Sequence, residues 1–523
     1  MTWNPKDPVG NEAGKIKYEI VKYTRGKVLD LGSGPWKPYA HFIGMDLMTE
    51  WADLGWRPDI FGDCTNLSIF ASNSFDAVFS SHMLEHLENP EKVLREWWRV
   101  IKTGGNLVLY LPHADLFPNI GQEGANLDHV SDFRPDDIIN LMKKVSSGFD
   151  LVVNETRDQG REYSFLQVFR KNTGHGYSLP VDLKGSKTCA IVRYGGIGDM
   201  IQMSSILPAL KEEGYHITIY ASPAGQEIVK HDPHIDAFYL QDRDQVPMQE
   251  LGEFWAVQAE KYDRFINLTE TVEVALIVPH TMTCHHWPKE VRHQRFDVNY
   301  LEFTHAVAEV PMPPRPAFYP TSLERQWAKK KRKKIKGPAI MWVLSGSSVH
   351  KIWPYLDQIM SRILLTWPDA TVILTGDPIS KMLEAGWENE SRVWKTCGEW
   401  AVRKSLAFAQ VCDLVIGPET GIMNAVGLMD MPKILNLSHS SPENLSKHWL
   451  NTTALCPKDC DCWPCHQLNH SFEQCPRDEK TGTAVCQAKI SPEDMWEAIK
   501  LHVFPVSTCS ICRRERDVNQ TGN

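Results

Sequence analysis

The chain lacks a long apolar segment. No apolar run approaches the ~18 residues that a membrane-spanning helix needs, and Met1–Pro8 lacks the apolar core of a secretory signal. Positive charge is also in deficit, because 56 Lys and Arg residues face 65 Asp and Glu residues and the net charge is −9. Bulk electrostatics therefore gives no support to a nucleic-acid partner. We expect a cytoplasmic protein with no membrane span.

Length and composition indicate several folded domains. A chain of 523 residues is too long for one core, and 42% hydrophobic residues against 23% charged residues are typical of a folded protein. Strand-like apolar runs alternate with helix-like runs, which predicts an α/β protein with parallel sheets. A basic run, Lys329–Lys334, is either part of a solvated linker or a contact for an anionic sugar, membrane or nucleic acid.

Two glycine-rich turns carry most of the functional signal. Gly32-Ser33-Gly34 follows the apolar run Val28–Leu31, and Gly195–Asp199 follows Ile191–Tyr194. Glycines at such turns let the backbone approach a ligand where a side chain would collide, at the edge of a parallel sheet where cofactors bind. The sequence therefore predicts two nucleotide-type sites.

The first turn belongs to a series of motifs that resembles the class I S-adenosylmethionine-dependent methyltransferases over residues 14–145. The series consists of Val28–Gly34, Asp46, Ser74-Phe75-Asp76, Leu84-Glu85-His86 and Leu94–Gly105. The resemblance implies a Rossmann-like domain that binds S-adenosylmethionine. The cofactor-binding residues it implies are Asp30, Gly32, Gly34, Asp46 and Asp63. Of these, the two glycines would approach the methionine part, Asp46 the ribose and Asp63 the adenine amino group.

One departure from this family affects the first site. Pro35 and Pro38 lie in the short stretch between Gly34 and Asp46, so the helix that usually follows the turn cannot have its full length. Intact methyl transfer and a degenerate, scaffolding fold both remain open. The residues expected on the acceptor side, as structural groups or as the lining of the pocket, are His82, His86, His113 and Asp128-His129.

The second turn belongs to a series that resembles the heptosyltransferase-like glycosyltransferase family nine over residues 187–500. The series consists of Gly195–Met200, Trp342–Pro354, Ile373–Asp377 and Asp413–Asn424. The resemblance implies the two Rossmann-like lobes called GT-B. It also implies that Asp199 is the catalytic base, that Lys351 neutralises the leaving diphosphate and that Glu419-Thr420-Gly421 holds the nucleotide sugar. The family usually has Asp where Glu419 stands and His where Asn424 stands.

Eight of the thirteen cysteines lie beyond residue 455. Cys462 and Cys465 have the two-residue spacing that lets two thiolates bind one ion, and disulfides are not expected in a reducing cytosol. The expected metal ligands are Cys462, Cys465, Cys475 and Cys486, with structural zinc as the expected ion. An iron–sulfur cluster and metal-free thiols are the alternatives.

These patterns together predict a bifunctional enzyme. The expected parts are a methyltransferase-like domain (1–175), an acceptor-side GT-B lobe (187–320), a basic linker (321–337), a nucleotide-sugar lobe (338–505) with a cysteine-rich loop (456–486), and a polar tail (506–523). Its predicted ligands are S-adenosylmethionine, a nucleotide sugar, with an ADP-heptose-like donor favoured, and a saccharide acceptor. The alternatives are modification of a nucleic-acid base, and an active glycosyltransferase that carries a non-catalytic methyltransferase-like binding module.

Overall fold

The computed structural model describes residues 11–47, 56–160, 162–174, 176–178, 185–269, 271, 276–312 and 318–503. The chain divides into two compact units: residues 1–186 with 239–262 form the first, and residues 187–238 with 263–523 form the second. The predicted polar tail, 506–523, lies outside the described residues. Among the described helices, none combines the length and the apolar character that a bilayer crossing requires.

Strands and helices alternate along both units. The strands are β1 Val28–Leu31, β2 Ile43–Asp46, β3 Ile60–Phe61, β4 Phe75–Ser81, β5 Ile101–Pro112, β6 Gly148–Arg157, β7 Ser164–Arg170, β8 Gly176–Ser178, β9 Thr188–Val192, β10 His216–Ala221, β11 Ala237–Leu240, β12 Arg264–Asn267, β13 Val278–Pro279, β14 Ala339–Val343, β15 Thr371–Thr375, β16 Val393–Lys395, β17 Leu414–Pro418, β18 Lys433–Asn436, β19 Thr452–Leu455 and β20 Gln467–Leu468. The α-helices are α1 Pro90–Val100, α2 Pro135–Val145, α3 Ile197–Ser204, α4 Leu207–Glu212, α5 Pro223–Val229, α6 Leu251–Ala259, α7 Lys289–Phe296, α8 Tyr300–Val307, α9 Ser322–Arg332, α10 Leu356–Thr366, α11 Val402–Ala409, α12 Gly421–Gly427, α13 Val485–Ala488 and α14 Pro492–Val503.

The first unit is built on a sheet of order β3-β2-β1-β4-β5-β7-β6-β8. Strands β1 to β5 pair in parallel, and β7 runs antiparallel to its neighbours β5 and β6. The order of the strands reverses between β1 and β4. Open α/β sheets bind ligands in the crevice at the carboxyl ends of the strands flanking such a reversal. The glycine turn that follows β1 therefore lies where the fold provides a binding site.

Helix α1 shows how apolar spacing builds the core of the first unit. Val93, Leu94, Trp97 and Trp98 lie on its buried face, as the periodicity of the sequence predicts. The helix ends at Val100. Ile101, which the periodicity placed on the same face, instead takes an extended conformation and begins β5. The apolar run therefore passes from helix to strand without a polar break, which is why the spacing alone did not locate the boundary.

Residues 239–262, which include α6, group with the first unit although the sequence pattern placed them in the 187–320 lobe. Tyr18 donates a hydrogen bond of 2.8 Å from its hydroxyl to Glu253, and its ring lies 6.0 Å from that of Phe254. The side-chain amide of Gln245 donates to the Val21 carbonyl at 2.6 Å. This segment therefore supplies both polar and apolar contacts to the start of the first unit.

The two larger sheets of the second unit have the orders β11-β10-β9-β12 and β16-β15-β14-β17-β18-β19, and β13 pairs with β20 in a small parallel sheet. The strand order reverses between β9 and β12 in one sheet and between β14 and β17 in the other. The predicted residue Asp199 follows β9, Lys351 follows β14, and Glu419-Thr420-Gly421 follows β17. The α/β fold class with a Rossmann-like pair of lobes is thus confirmed, and the predicted site residues follow strands at the points of reversal.

Two helical segments of the second unit are shaped by single residues. The run Ile201–Leu210 is divided between α3 and α4, because Pro208 lacks an amide hydrogen and its ring conflicts with the preceding turn. The basic segment 321–337 is largely helix α9. Thr321 caps this helix by accepting from the Glu324 amide at 3.1 Å, so the run of lysines occupies a helix end.

Candidate functional site

The first glycine turn leaves β1 with two left-handed residues, Gly32 at φ +71° and Gly34 at φ +50°. A Cβ on Gly32 would lie 2.6 Å from the Met83 side chain, whereas a Cβ on Gly34 would meet nothing within 4 Å. The hydroxyl of Ser33 between them is buried and has no hydrogen-bond partner among the described residues. Gly32 thus allows the Met83 side chain to pack against the backbone, and Gly34 leaves space in which a ligand can approach the backbone closely.

The three acids predicted at this turn lie in different environments. Asp46, at the end of β2, accepts a 3.0 Å hydrogen bond from the Gly34 amide, so it belongs to the turn. Asp30 is 2% exposed within β1, and burial raises its pKa well above the usual range. Asp63 is exposed and accepts from the Thr65 amide at 2.8 Å. Asp46 is therefore joined to the turn, whereas Asp30 is enclosed in the sheet.

No helix follows the first glycine turn, since residues 35–42, all of them described, form turns and bends. The shortening predicted from Pro35 and Pro38 is confirmed. Lys37 holds this connection in place, because its ammonium donates to the Phe42 carbonyl at 2.9 Å and to the Asp59 carboxylate at 2.6 Å. The hydrogen bonds of Lys37 therefore order this connection, which lacks the backbone hydrogen bonds of a helix.

A buried carboxyl group follows β4. Glu85 is fully buried, and neither of its carboxylate oxygens has a hydrogen-bond partner among the described residues. Burial raises its pKa to about 8. His82 Nδ1 and His129 Nε2 lie 3.8 and 4.0 Å from Glu85 Oε1, and the His86 ring lies 4.8 Å from that of His129. The motif spacing places these histidines on the acceptor side but gives Glu85 no role, because its burial cannot be read from the sequence.

The second glycine turn positions Asp199 at the third residue of α3. Its Oδ2 accepts from the Gly196 amide at 2.7 Å, and its Oδ1 forms a 2.8 Å ion pair with Arg193. Arg193 is 4% exposed and also donates to the Leu268 carbonyl at 2.7 Å. The buried guanidinium therefore fixes the position of the Asp199 carboxylate through a charge-assisted contact. Arg193 was missed from the sequence, where its only signal is a charged residue at the end of a buried strand.

Lys351 is 7% exposed in the short turn after β14. Burial lowers its pKa, and the negative charges of Glu419 and Asp199 partly oppose that shift. Within the described residues its ammonium makes no hydrogen bond and no ion pair. A Cβ on Gly346 would lie 2.6 Å from Lys351 Cδ and 3.1 Å from Thr420 Cγ2, so the lysine chain runs close along a glycine backbone toward Thr420.

The start of α3 contacts the start of α12. A Cβ on Gly421 would lie 2.4 Å from the Ile197 Cβ, and a Cβ on Gly198 would lie 2.5 Å from Asn424 Nδ2. Gln202 donates from its amide to Asn424 Oδ1 at 2.8 Å. Asn424 is therefore fitted against a glycine backbone. This contact brings the turn that carries Asp199 close to the Glu419-Thr420-Gly421 motif.

Glu419 is directed into the protein. Its Oε1 accepts from the Ser438 and Ser440 amides at 2.9 and 3.0 Å, its Oε2 accepts from the Ser438 hydroxyl, and the residue is 5% exposed. The next residue, Thr420, has a buried hydroxyl without a hydrogen-bond partner among the described residues. Glu419 thus fixes the loop after β18, and Thr420 retains hydrogen-bonding capacity for a ligand.

A cavity of about 290 Å³ lies at the carboxyl ends of β14, β17 and β18. Its lining includes Lys351, Pro418, Asn436, Thr481 and Thr483. The two threonines belong to the predicted cysteine-rich loop, which therefore forms part of the wall. This volume is near the lower end of ligand pockets in general, and Lys351 is the predicted site residue that lines it.

The cysteine-rich loop brings Cys460 and Cys462 together, with sulfurs 3.5 Å apart. The hydrogen bond between them lowers the pKa of Cys460 and raises that of Cys462. Burial raises the pKa of Cys465 to about 12 and that of Cys475 to about 11. Cys486 is buried beside Cys475. No three cysteine sulfurs of the described chain lie within 4.8 Å of one another, so the arrangement does not fit the predicted zinc set as it stands.

Comparisons with known proteins find similarity in part of the first unit. The model of a methyltransferase domain family matches residues 29–109. Over 96 residues the chain is 44% identical to demethylmenaquinone methyltransferase from Paenarthrobacter aurescens (strain TC1), a match that covers 16% of this chain and 37% of that protein. The chain thus matches little more than a third of the length of this curated relative.

Solved structures similar to the chain include glycosyltransferases. A family 9 glycosyltransferase from Veillonella parvula is 16% identical with a TM-score of 0.46, and the match covers 61% of this chain and 97% of that one. The E. coli ADP-heptose lipopolysaccharide heptosyltransferase II is 13% identical with a TM-score of 0.42, covering 61% of this chain and 98% of that one. The methyltransferase resemblance noted in the sequence thus recurs in the family match. The chain is an α/β protein with a methyltransferase domain in its N-terminal part and family 9 glycosyltransferases among its structural neighbours.

Proposed function

We propose that the chain is a bifunctional transferase. Its second unit transfers a sugar, with inversion, from a nucleotide sugar to a saccharide acceptor, and its first unit transfers a methyl group from S-adenosylmethionine. Lys351 carries the proposal: this buried residue lines the cavity, and its ammonium has no anionic partner within ion-pair distance among the described residues. An unpaired buried cation is costly, so a diphosphate there supplies the missing charge. An ADP-heptose-like donor is the one that the family nine resemblance favours.

Two charged side chains act in the proposed sugar transfer, one on the acceptor and one on the leaving group. Asp199, held in place by Arg193, takes the proton of the acceptor hydroxyl. The acceptor oxygen then bonds to the anomeric carbon from the face opposite the diphosphate. The bond from that carbon to the leaving oxygen breaks, and Lys351 meets the negative charge that develops there. Glu419 acts as a positioning residue in this scheme, because its carboxylate holds the loop at Ser438.

The residues of the first glycine turn fit S-adenosylmethionine. Free space beyond Gly34 and the unpartnered, buried Ser33 hydroxyl are what a ligand held by backbone contacts requires. The Gly32–Gly34 backbone would hold the methionine part, Asp46 would accept both hydrogens of the ribose diol, and Asp63 would bind the adenine amino group. The cofactor supplies an electrophilic methyl group. The chain aligns the acceptor with it.

The alternatives are a non-catalytic binding module and modification of a nucleic-acid base. The missing helix after Gly34 favours a binding module that holds a ligand without catalysis. Modification of a nucleic-acid base would use the basic end of α9. There Arg332 is already paired with Asp413 at 2.8 Å, which reduces the charge available to a polyanion. The first alternative is therefore the stronger of the two.

A panel of ADP-, UDP- and GDP-sugars, with saccharide acceptors, tests the sugar transfer. The full chain should release nucleotide from one base class, and Asp199→Asn should reduce the rate by about 10²–10⁴, as expected for loss of a general base. The matched control is Asp263→Asn, because Asp263 is an exposed cap of Thr188 in the same lobe. Equal rates for the Asp199 variant and the parent would reject Asp199 as the base.

Calorimetry of the full chain with S-adenosylmethionine tests the first unit separately. Binding together with methyl transfer to saccharides or their glycosylated products supports the enzyme. Binding with no transfer to any acceptor supports the binding module instead. Absence of binding would reject the cofactor assignment while leaving sugar transfer unaffected.

A further inference from the structure

The residues around Glu85 form a set of metal-ligand type. Glu85, His86 and His129 each offer one ligand atom, and these atoms all lie within 4.8 Å of one another. In a tetrahedral site with bonds of about 2.1 Å, ligand atoms are about 3.4 Å apart. Side-chain adjustments of about 1 Å would therefore close the set around an ion.

The orientation of each side chain leaves its ligand atom available. His86 Nδ1 lies 3.0 Å from the Asp128 carbonyl and must donate to it, so His86 Nε2 carries the free lone pair. A backbone carbonyl that fixes the ring in this way is the usual outer support of a metal-bound histidine. His129 is directed toward the carboxylate, with Nε2 at 4.0 Å from Glu85 Oε1.

The backbone holds the two ligand-bearing segments together before any ion binds. The Glu85 carbonyl accepts hydrogen bonds from the Val130 and Ser131 amides at 2.8 and 3.1 Å. The loop that carries His129 is therefore fastened directly to the turn that carries Glu85 and His86. Preorganisation of this kind lowers the cost of collecting three ligands.

A second histidine–carboxylate cluster provides a contrast. His293, Asp297 and His466 also lie within 4.8 Å of one another. There His293 Nδ1 and His466 Nε2 are hydrogen-bonded at 3.0 Å, and the Asp297 carboxylate accepts from the Ser441 hydroxyl. That cluster satisfies its own polar atoms. At Glu85 both buried carboxylate oxygens have no hydrogen-bond partner in the described chain, which an ion would remedy.

We propose that Glu85, His86 and His129 bind a divalent transition-metal ion of the zinc, iron or manganese class, with a coordination position open to the methyl acceptor. Two imidazoles and one carboxylate suit such ions. The turn that carries Glu85 and His86 follows Met83, whose side chain packs at Gly32 of the donor turn. The acceptor role rests on the proposed methyl transfer. An acceptor oxygen, nitrogen or sulfur bound there loses its proton to water more readily, then bonds to the methyl carbon as the methyl–sulfur bond breaks with its electron pair left on sulfur.

The test measures metal binding to the full chain without S-adenosylmethionine. After chelator dialysis, Zn²⁺ and Mn²⁺ are titrated by calorimetry, with Mg²⁺ as a hard-ion comparison. Glu85→Gln and His129→Gln should each weaken the binding of one metal equivalent per chain by at least tenfold. His41→Gln, an exposed histidine of the same unit, Cys465→Ser and Asp297→Asn should each retain that equivalent. Circular dichroism verifies that the variants fold, and the two substitutions lie on different segments.

Each outcome decides the proposal. Equal stoichiometry and affinity in the parent, Glu85→Gln and His129→Gln would overturn it, and so would loss of the same equivalent in Asp297→Asn. Metal binding that survives while S-adenosylmethionine fails to bind would keep the site and reject methyl transfer. Cofactor binding with no Glu85-dependent metal would keep methyl transfer as a proposal and reject the metal site.

Discussion

The two glycine turns begin alike and continue differently. Each leaves a parallel strand where the strand order reverses, and each has an acid that accepts from a glycine amide, Asp46 at Gly34 and Asp199 at Gly196. After the second turn the chain enters α3, whereas after the first it forms no helix. A helix start favours anions, and at the second turn that anion is the Asp199 carboxylate itself. The first turn has no helix start, and its backbone and carboxylate suit a donor with a cationic sulfonium.

The largest expected effect is that of Lys351→Met. This change removes the cation proposed to meet the leaving group, and the glycosyl-transfer rate should fall by about 10²–10³, as for loss of one preorganised charge-stabilising group. S-adenosylmethionine affinity should stay unchanged. Lys381→Met is the control, because Lys381 is an exposed lysine of the same lobe paired with Glu399. A similar loss in both variants would show that the effect is not specific to the cavity.

The reciprocal change is made at the first turn. Asp46→Ala removes the acceptor proposed for the ribose diol together with the hydrogen bond to Gly34. S-adenosylmethionine affinity measured by calorimetry should fall about 10–100-fold, the value of one or two hydrogen bonds to a charged group. Glycosyl transfer should not change. If Asp46→Ala bound the cofactor like the parent, the ribose assignment would be wrong.

The pH dependence of donor binding should follow the protonation of Lys351. Lys351 binds diphosphate in its protonated form, and burial lowers its pKa below the ordinary 10.5. Donor affinity should therefore hold at lower pH and decline as pH rises through this lowered value, before an exposed lysine would titrate. Measuring the donor KM against pH for the parent and Lys351→Met checks this. An alkaline decline that persists in the methionine variant would assign it to another group.

The smallest effect compares two glycines of one turn. Gly34→Ala should cost about 1 kcal/mol of stability, from its left-handed backbone alone. Gly32→Ala should cost about 2–4 kcal/mol, because the added methyl group also meets Met83. Thermal unfolding of the full chain gives the difference as a lower Tm for Gly32→Ala. Equal Tm values would mean that Met83 moves aside at no cost.

Much of the fold could be predicted because buried strands leave an unmistakable apolar pattern. The strands His216–Ala221 and Thr371–Thr375 lie where the sequence predicts them. The shortened connection after Gly34 also followed from two prolines. These features depend on local chemistry, which a single sequence records.

Features that depend on distant partners could not be predicted. Glu419 accepts from Ser438 and Ser440, about twenty positions away, and nothing in its own motif indicates that it is directed inward. The loop that lies against Glu85 is more than forty residues further along the chain, since the Glu85 carbonyl accepts from the Val130 amide. The cysteine spacing predicted shared ligation, but the described sulfurs do not converge as a ligand set.

The segment 239–262 has a consequence for how the chain is made. Tyr18 and Val21 near the start of the chain depend on partners in this segment, which is synthesised after the first two strands of the second unit, β9 and β10. Domains usually fold in the order in which they leave the ribosome. Here, residues 187–238 of the second unit are synthesised before the first unit has its last segment, 239–262. A chain stopped after residue 186 would leave these contacts unmade. The two units are thus joined by an interleaved chain that no single cut divides into two intact parts.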